Sequence, residues 1–243
     1  MIELNGISKS FDKKIVLKDI SFCVHPGEFV TIIGKIGSGK STILNIISGL
    51  MKYDSGELKI NGKVIKTSNR SYIKDIGVLL SCDYLIEEFS TILYWRCMGK
   101  LLGLTSSDIN HRIEYINNIC QISDPNIPIS KLSSGNKMLV KIGTMLLKES
   151  PILIIDEPFV NLDINEIEKV ERILSNSNLE GKTILMTSHY PESIYKISNK
   201  IYVLDNGKIE HNFSKNDFQS YEIFKLNFMQ YFNKSLISTM SPV

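Results

Sequence analysis

Residues 34 to 42 read GKIGSGKST, which has the composition of a phosphate cradle. Its glycines let successive backbone N–H groups, from Gly37 to Lys40, turn toward one anion, and a helix beginning there would add its positive end. In such a loop Gly34, Gly37, Ser38 and Gly39 shape the backbone, and Lys40 bridges the β- and γ-phosphates of a nucleotide. Ser41 holds a Mg²⁺ ion, and Thr42 supports the α- and β-phosphates. At average glycine usage the G-x-x-x-x-G-K-[ST] pattern arises by chance in roughly one chain per hundred of this length. A second stretch, PILIIDEP (151–158), is an apolar run that ends in two adjacent acids. Asp156 is placed to hold the Mg²⁺, directly or through water, and Glu157 to polarise an attacking water. The two motifs complete one MgATP site.

These residues need elements to carry them. The runs FVTII (29–33), IGVLL (76–80), ILII (152–155) and TILMT (183–187) are too short for helices and rich in branched residues, as strands buried on both faces are. They alternate with helical patterns, so an α/β domain is expected. FVTII directly precedes the glycine loop, and TILNIISGL after it has helical spacing with a stop at Gly49. Asn61-Gly62 and Asn206-Gly207 sit between alternating segments and predict hairpin turns, hence antiparallel strands beside the parallel core. From Ser90 to Ser130 helical spacing dominates, and Pro125 and Pro128 close that stretch.

Composition narrows the partners. The 28 Lys and Arg against 26 Asp and Glu leave a net charge of +2, which argues against a dedicated nucleic-acid binder. Cys23, Cys82, Cys97 and Cys120 are scattered, with no CxxC pair and no histidine cluster, so neither a metal site nor a disulfide framework is indicated. The opening MIELNGISKSF has an early acid and no signal-peptide run, and no stretch of about 18 apolar residues occurs. A chain that neither leaves the cell nor spans a membrane is expected.

A phosphate loop with an acidic strand end occurs in many nucleotide hydrolases. Here KLSSGNKMLVKIGTMLL lies between the two, and with it the chain resembles the ATP-binding cassette (ABC) family along nearly all of its first 215 residues. The resemblance implies a P-loop NTPase fold with a mixed β-sheet core, an antiparallel β subdomain and a helical subdomain. It divides the chain into a cassette at 1–215, with the helical subdomain inserted at about 82–134, and a helical tail at 216–243. It implies that LSSGN (132–136) is the signature that binds ATP held by the P-loop of a second protomer. Ser133 and Gly135 match its γ-phosphate contacts, whereas Ser134 and Asn136 depart from the commonest glycine and glutamine. Phe11 matches the aromatic that stacks on adenine, Asp163 in NLD the D-loop acid at the dimer, and His189 in MTSHY the switch histidine at the γ-phosphate.

One position departs from the family. After IGVLL the family places Gln, sometimes Glu, to reach the Mg²⁺ and the attacking water and to touch the membrane partner, whereas this chain has Ser81. Serine is about 2.5 Å shorter in reach, so toward the ion it acts only through a water. The segment STILYWRCMGKLLGL (90–104) looks like the start of the helical region in exporter-type members, which serve drugs, lipids and peptides. Phe218, Tyr221, Phe224, Phe228 and Tyr231 recur every three to four residues, as on one face of a helix packed against its own domain or a dimer contact. The expected protein is therefore the ATP-hydrolysing subunit of an ABC transporter, exporter-like and using ATP and Mg²⁺. It would pair with a second cassette, identical or not, and with separate permease subunits at the cytoplasmic face of the membrane. The alternative is a soluble cassette that energises an assembly process, such as that of iron-sulfur clusters.

Overall fold

Branched and apolar residues alternate along the short runs so that odd and even positions enter different cores, and this fixes a layered fold. The computed structural model describes residues 1–12, 14–66, 71–81 and 84–237, the last six of these by backbone. In chain order its elements begin with β1 (Ile2–Phe11), β2 (Lys14–Val24), β3 (Phe29–Ile33), α1 (Lys40–Ile47), β4 (Ser55–Ile60) and β5 (Lys63–Val64). They continue with β6 (Ile76–Leu79), α2 (Thr91–Leu101), α3 (Ser106–Cys120), α4 (Ser134–Leu146), β7 (Ile152–Asp156) and α5 (Ile164–Leu179). The last are β8 (Thr183–Thr187), α6 (Pro191–Ile197), β9 (Lys200–Asp205), β10 (Lys208–Ser214) and α7 (Tyr221–Ile237).

The central sheet runs β10-β9-β3-β8-β7-β6, parallel except for β10 at its edge. On one face Phe29, Leu153, Ile155, Ile184 and Met186 pack with the helical side of the molecule. On the other Val30, Ile32, Ile152, Ile154 and Leu185 pack with α1 and the antiparallel sheet. The antiparallel sheet has the order β2-β1-β4-β5. Both predicted hairpins form: Asn61 and Gly62 have φ of 50° and 74°, and Asn206 and Gly207 have 47° and 77°. Positive φ at both central residues matches the right-handed twist of paired strands, which is why Asn-Gly serves there.

The stretch expected to be helical holds α2 and α3, capped by Ser90 and Thr105, whose side chains accept from Leu93 N and Asp108 N. The single tryptophan, Trp95, is fully buried between α2 and α4 and donates from Nε1 to the Val140 carbonyl at 3.1 Å. Gly143 makes that approach possible, since a Cβ there would lie 2.4 Å from the indole. The tail helix α7 lays Phe224 and Phe228 on Ile33, Ile194, Ile201 and Val203, within its own domain. Of the expected boundaries, Cys82 at the start of the helical subdomain and residues 238–243 of the tail lie outside the described residues. Cys23, Cys97 and Cys120 are free thiols, and burial pushes the Cys120 thiol up to about 12. Among the described residues no helix is long and apolar enough to cross a membrane.

Candidate functional site

Four neighbouring parallel strands, β3, β8, β7 and β6, end on the same edge, where ligands of open α/β sheets bind. The end of β3 carries the glycine loop, β7 carries Asp156 and leads to Glu157, β8 carries Thr187 and leads to His189, and β6 leads through Leu80 to Ser81. Strand order alone therefore gathers residues separated by up to 155 positions.

Gly34 leaves β3 beneath the Leu204 carbonyl, where a Cβ would lie only 2.2 Å away. Gly39 has φ of 110°, closed to other residues, and serves as N-cap of α1. No side chain caps α1 and its first turn holds no acid, so its N–H groups are left for an anion. Ser38 Oγ is buried beside them without a hydrogen-bond partner. Lys40 is 7% exposed and donates from Nζ to the carbonyls of Gly34 at 2.8 Å and Lys35 at 3.2 Å. Burial pulls its ammonium below the ordinary value, against the opposing pull of Glu157 and Asp156. Ser41 is exposed at the start of α1, and Thr42 follows it, partly buried. Uncapped N–H groups, an orphaned hydroxyl and a nearby ammonium fit a phosphate chain.

The two adjacent acids are held differently. Asp156 is 4% exposed, and both its oxygens accept hydroxyl hydrogen bonds: Oδ2 from Ser81 Oγ at 2.7 Å and Oδ1 from Thr187 Oγ1 at 2.5 Å. Glu157 has φ of 50°, a left-handed conformation unusual for glutamate. Its N–H is pinned to Thr187, 3.1 Å from both the carbonyl oxygen and Oγ1. Both its carboxylate oxygens are buried; Oε2 has no hydrogen-bond partner, and Oε1 has His189 Nε2 at 2.9 Å, within ion-pair distance. Among the described residues no group of three or more His, Cys, Asp or Glu could hold a metal by itself. The oxygens of Asp156 and Ser41 suit a hard cation that completes its shell with phosphate and water, as Mg²⁺ does. Ser81, read as too short to reach an ion, reaches the carboxylate beside it instead.

Ser133, Gly135 and Asp163 form a second cluster, at the N-termini of α4 and α5. Ser133 caps α4, accepting from Asn136 N at 3.2 Å, and Ser134 Oγ donates to the Asn161 carbonyl at 3.0 Å. Asp163 caps α5 in a reciprocal box with Glu166. Phe11, 43% exposed, ends β1 with the Lys9 ammonium 5.5 Å over its ring. The neighbouring strand β2 brings Leu17 against Gly39. The sequence reading missed Thr187 and Glu166. Thr187 is paired in register with Asp156 across β7 and β8, which only the sheet order reveals. Glu166 was legible as the last residue of the D-x-x-E box that opens at Asp163.

A family model described as ABC transporter matches residues 17–160. The linearmycin resistance ATP-binding protein LnrL of Bacillus subtilis is 30% identical over 86% of this chain and 68% of its own length. The arabinose import ATP-binding protein AraG of Mannheimia succiniciproducens is 30% identical over 88% of this chain but 44% of its own length. The Nod factor export ATP-binding protein I of Sinorhizobium fredii is 28% identical over 85% of this chain and 61% of its own. Among solved structures, the dimeric ATP-binding cassette MJ0796, in a post-hydrolysis state bound to ADP and Pi, superposes with a TM-score of 0.80. It is 25% identical, covering 90% of this chain and 100% of that one. The ATP-binding subunit of an ABC transporter gives a TM-score of 0.82 at 25% identity, covering 94% of this chain and 99% of that one. Phosphate loop, paired acids and layered sheet thus agree with a family match over more than half of the sequence: the chain belongs to the ABC transporter family and is an ATP-hydrolysing cassette of it.

Proposed function

We propose that this cassette drives an exporter, working at the cytoplasmic face of a membrane on permease subunits that are separate chains. The observation that carries the hydrolytic part is the contrast between Asp156, donated to by two hydroxyls, and Glu157, whose buried carboxylate receives no hydroxyl and has His189 Nε2 2.9 Å from Oε1. Glu157 takes a proton from an attacking water through Oε2, the oxygen that His189 does not contact, and His189 orients that water against the γ-phosphate. Gly34, Gly37, Ser38, Gly39, Lys40 and Thr42 wrap the phosphates of ATP, and Phe11 stacks on its adenine. Ser41 and Asp156 hold Mg²⁺, which when bound offsets the negative charge of the phosphates. Ser133 and Gly135 engage the ATP of a second cassette, identical or different, with Asp163 beside the joint.

Export is supported by the names of two relatives, for linearmycin resistance and Nod factor export, while arabinose import shows that the cassette itself serves both directions. These transport names do not favour a soluble assembly role. An apolar groove of about 370 Å³, lined by Val78 of β6 and by Tyr84, Leu85, Tyr94 and Met98, lies open, and Tyr84 is 91% exposed. In this reading it receives the permease. The cassette spans 1–215, with the helical subdomain at about 82–134 and the tail from 216. Glu157→Gln tests the hydrolytic assignment. ATP binding should persist, an ATP-dependent dimer should accumulate, and turnover should fall by about 10² to 10⁴. Unchanged turnover removes Glu157 from the role.

A further inference from the structure

Two helix N-termini in this chain treat an anion in opposite ways. That of α1 is uncapped and acid-free, whereas that of α4 is already covered from within. The Glu166 side chain lies against Gly135: a Cβ there would stand 1.8 Å from Cδ, 2.0 Å from Oε1 and 2.3 Å from Oε2. Ser133 Oγ donates to Glu166 Oε1 at 3.2 Å, and Asp163 N donates to Oε2 at 3.1 Å. A carboxylate is favoured there by the unpaired N–H groups of the first helical turn. Lys137, in the next turn of α4, is engaged elsewhere, by Glu87 at 2.9 Å.

We propose that Glu166 is an anionic gate on the signature, an internal occupant of the place where the partner's triphosphate must arrive. This rests on the reading that Ser133 and Gly135 receive that triphosphate. The Ser133 hydroxyl and the face of Gly135 cannot serve a phosphate and the carboxylate together, and two anions at one helix terminus repel. Closure of the two-cassette sandwich therefore requires Glu166 to turn away. Because Oε2 also accepts from Asp163 N, that turn loosens the box that starts α5. Glu166 thereby links occupancy of the signature to Asp163, and it is a positioning residue, touching no substrate in the open protomer.

Glu166→Gln keeps the size and hydrogen-bonding capacity of the side chain and removes its charge. The 243-residue chain carrying Glu157→Gln, with and without Glu166→Gln, is titrated with ATP and its dimer followed by sedimentation velocity. Thermal melts check that both are folded. The gate predicts that Glu166→Gln lowers the ATP needed for half-maximal dimer about tenfold, or about 1.4 kcal/mol. ATP affinity of the monomer, measured at protein concentrations too low for dimer, should stay unchanged. The advantage should shrink in about 0.5 M salt, where charge repulsion is screened. If the parent dimerises with ATP and Glu166→Gln shifts nothing, or shifts it upward, the gate is overturned while the sandwich reading stands. If neither protein dimerises with ATP, the sandwich reading fails and the gate with it.

Discussion

The Ser81 hydroxyl is the residue whose contribution the structure changes most, and its value can be worked out from the two hydrogen bonds on Asp156. Both are charge-assisted, at 2.7 Å from Ser81 and 2.5 Å from Thr187, and such bonds contribute about 1.5–3 kcal/mol when buried. Thr187 is fully buried, and its Oγ1 also receives the Glu157 N–H. Thr187→Val therefore strips a donor from one buried group and an acceptor from another, with an expected loss of about 3 kcal/mol. Ser81 is exposed, so water can replace its hydroxyl, and Ser81→Ala should cost about 1 kcal/mol. Either single variant leaves the carboxylate one donor. The double variant leaves none, so its loss should exceed the sum of the singles by at least about 0.5 kcal/mol. Urea unfolding of the ligand-free protein, followed by circular dichroism, measures all four. If Ser81→Ala is silent and the double variant is strictly additive, the Ser81–Asp156 contact contributes nothing, and the serine is a bare gap where the family has an amide.

Two further outcomes follow from contacts inside one protomer. Gly135→Ala places a methyl 1.8 Å from Glu166 Cδ and should destabilise the chain by about 1–3 kcal/mol in urea, with part of that loss restored by Glu166→Ala in the double variant. For Lys40, burial holds the folded-state ammonium below 10.5, so the folded chain gives up that proton before the unfolded chain does. Relative to Lys40→Met, stability should therefore rise with pH in the window just below 10.5. A flat or falling difference between their unfolding curves would contradict the burial.

Much of this site could be read from residue order because its chemistry is local. The loop from Gly34 to Thr42 needs only its own glycines and the strand before it, and β3 and β8 span FVTII and TILMT as predicted. The Asn-Gly turns were legible for the same reason, since positive φ at both positions is a property of the dipeptide. What was not legible depends on register between distant strands. Ser81 touches Asp156 because β6 pairs in parallel with β7, so that residues following Leu79 and Ile155 lie side by side. Thr187 faces Asp156 through the pairing of β7 with β8. Gly135 looks from the sequence like a probe of the partner's ATP alone. The fold shows that its missing side chain is first required by Glu166 of the same chain, so a substitution there tests packing before it tests dimer formation.

Asp156 and Glu157 show how far position, rather than residue type, decides chemistry. They are adjacent, carry the same charge and have nearly the same intrinsic acidity. Asp156 is the last residue of β7, so its side chain falls between the ends of β6 and β8 and is met by a hydroxyl from each. Two donors fix the direction of the carboxylate, which suits a ligand for a cation. One residue later the backbone turns left-handed, and the Glu157 side chain leaves the sheet edge for a buried space where it meets no hydroxyl and only His189 Nε2 stands beside Oε1. Exchanging the two residues would preserve composition and net charge, yet put the shorter acid beside His189 and the longer one between two fixed hydroxyls. The positive φ of Glu157 thus separates a carboxylate held by two hydroxyls from one set beside a histidine across a single peptide bond.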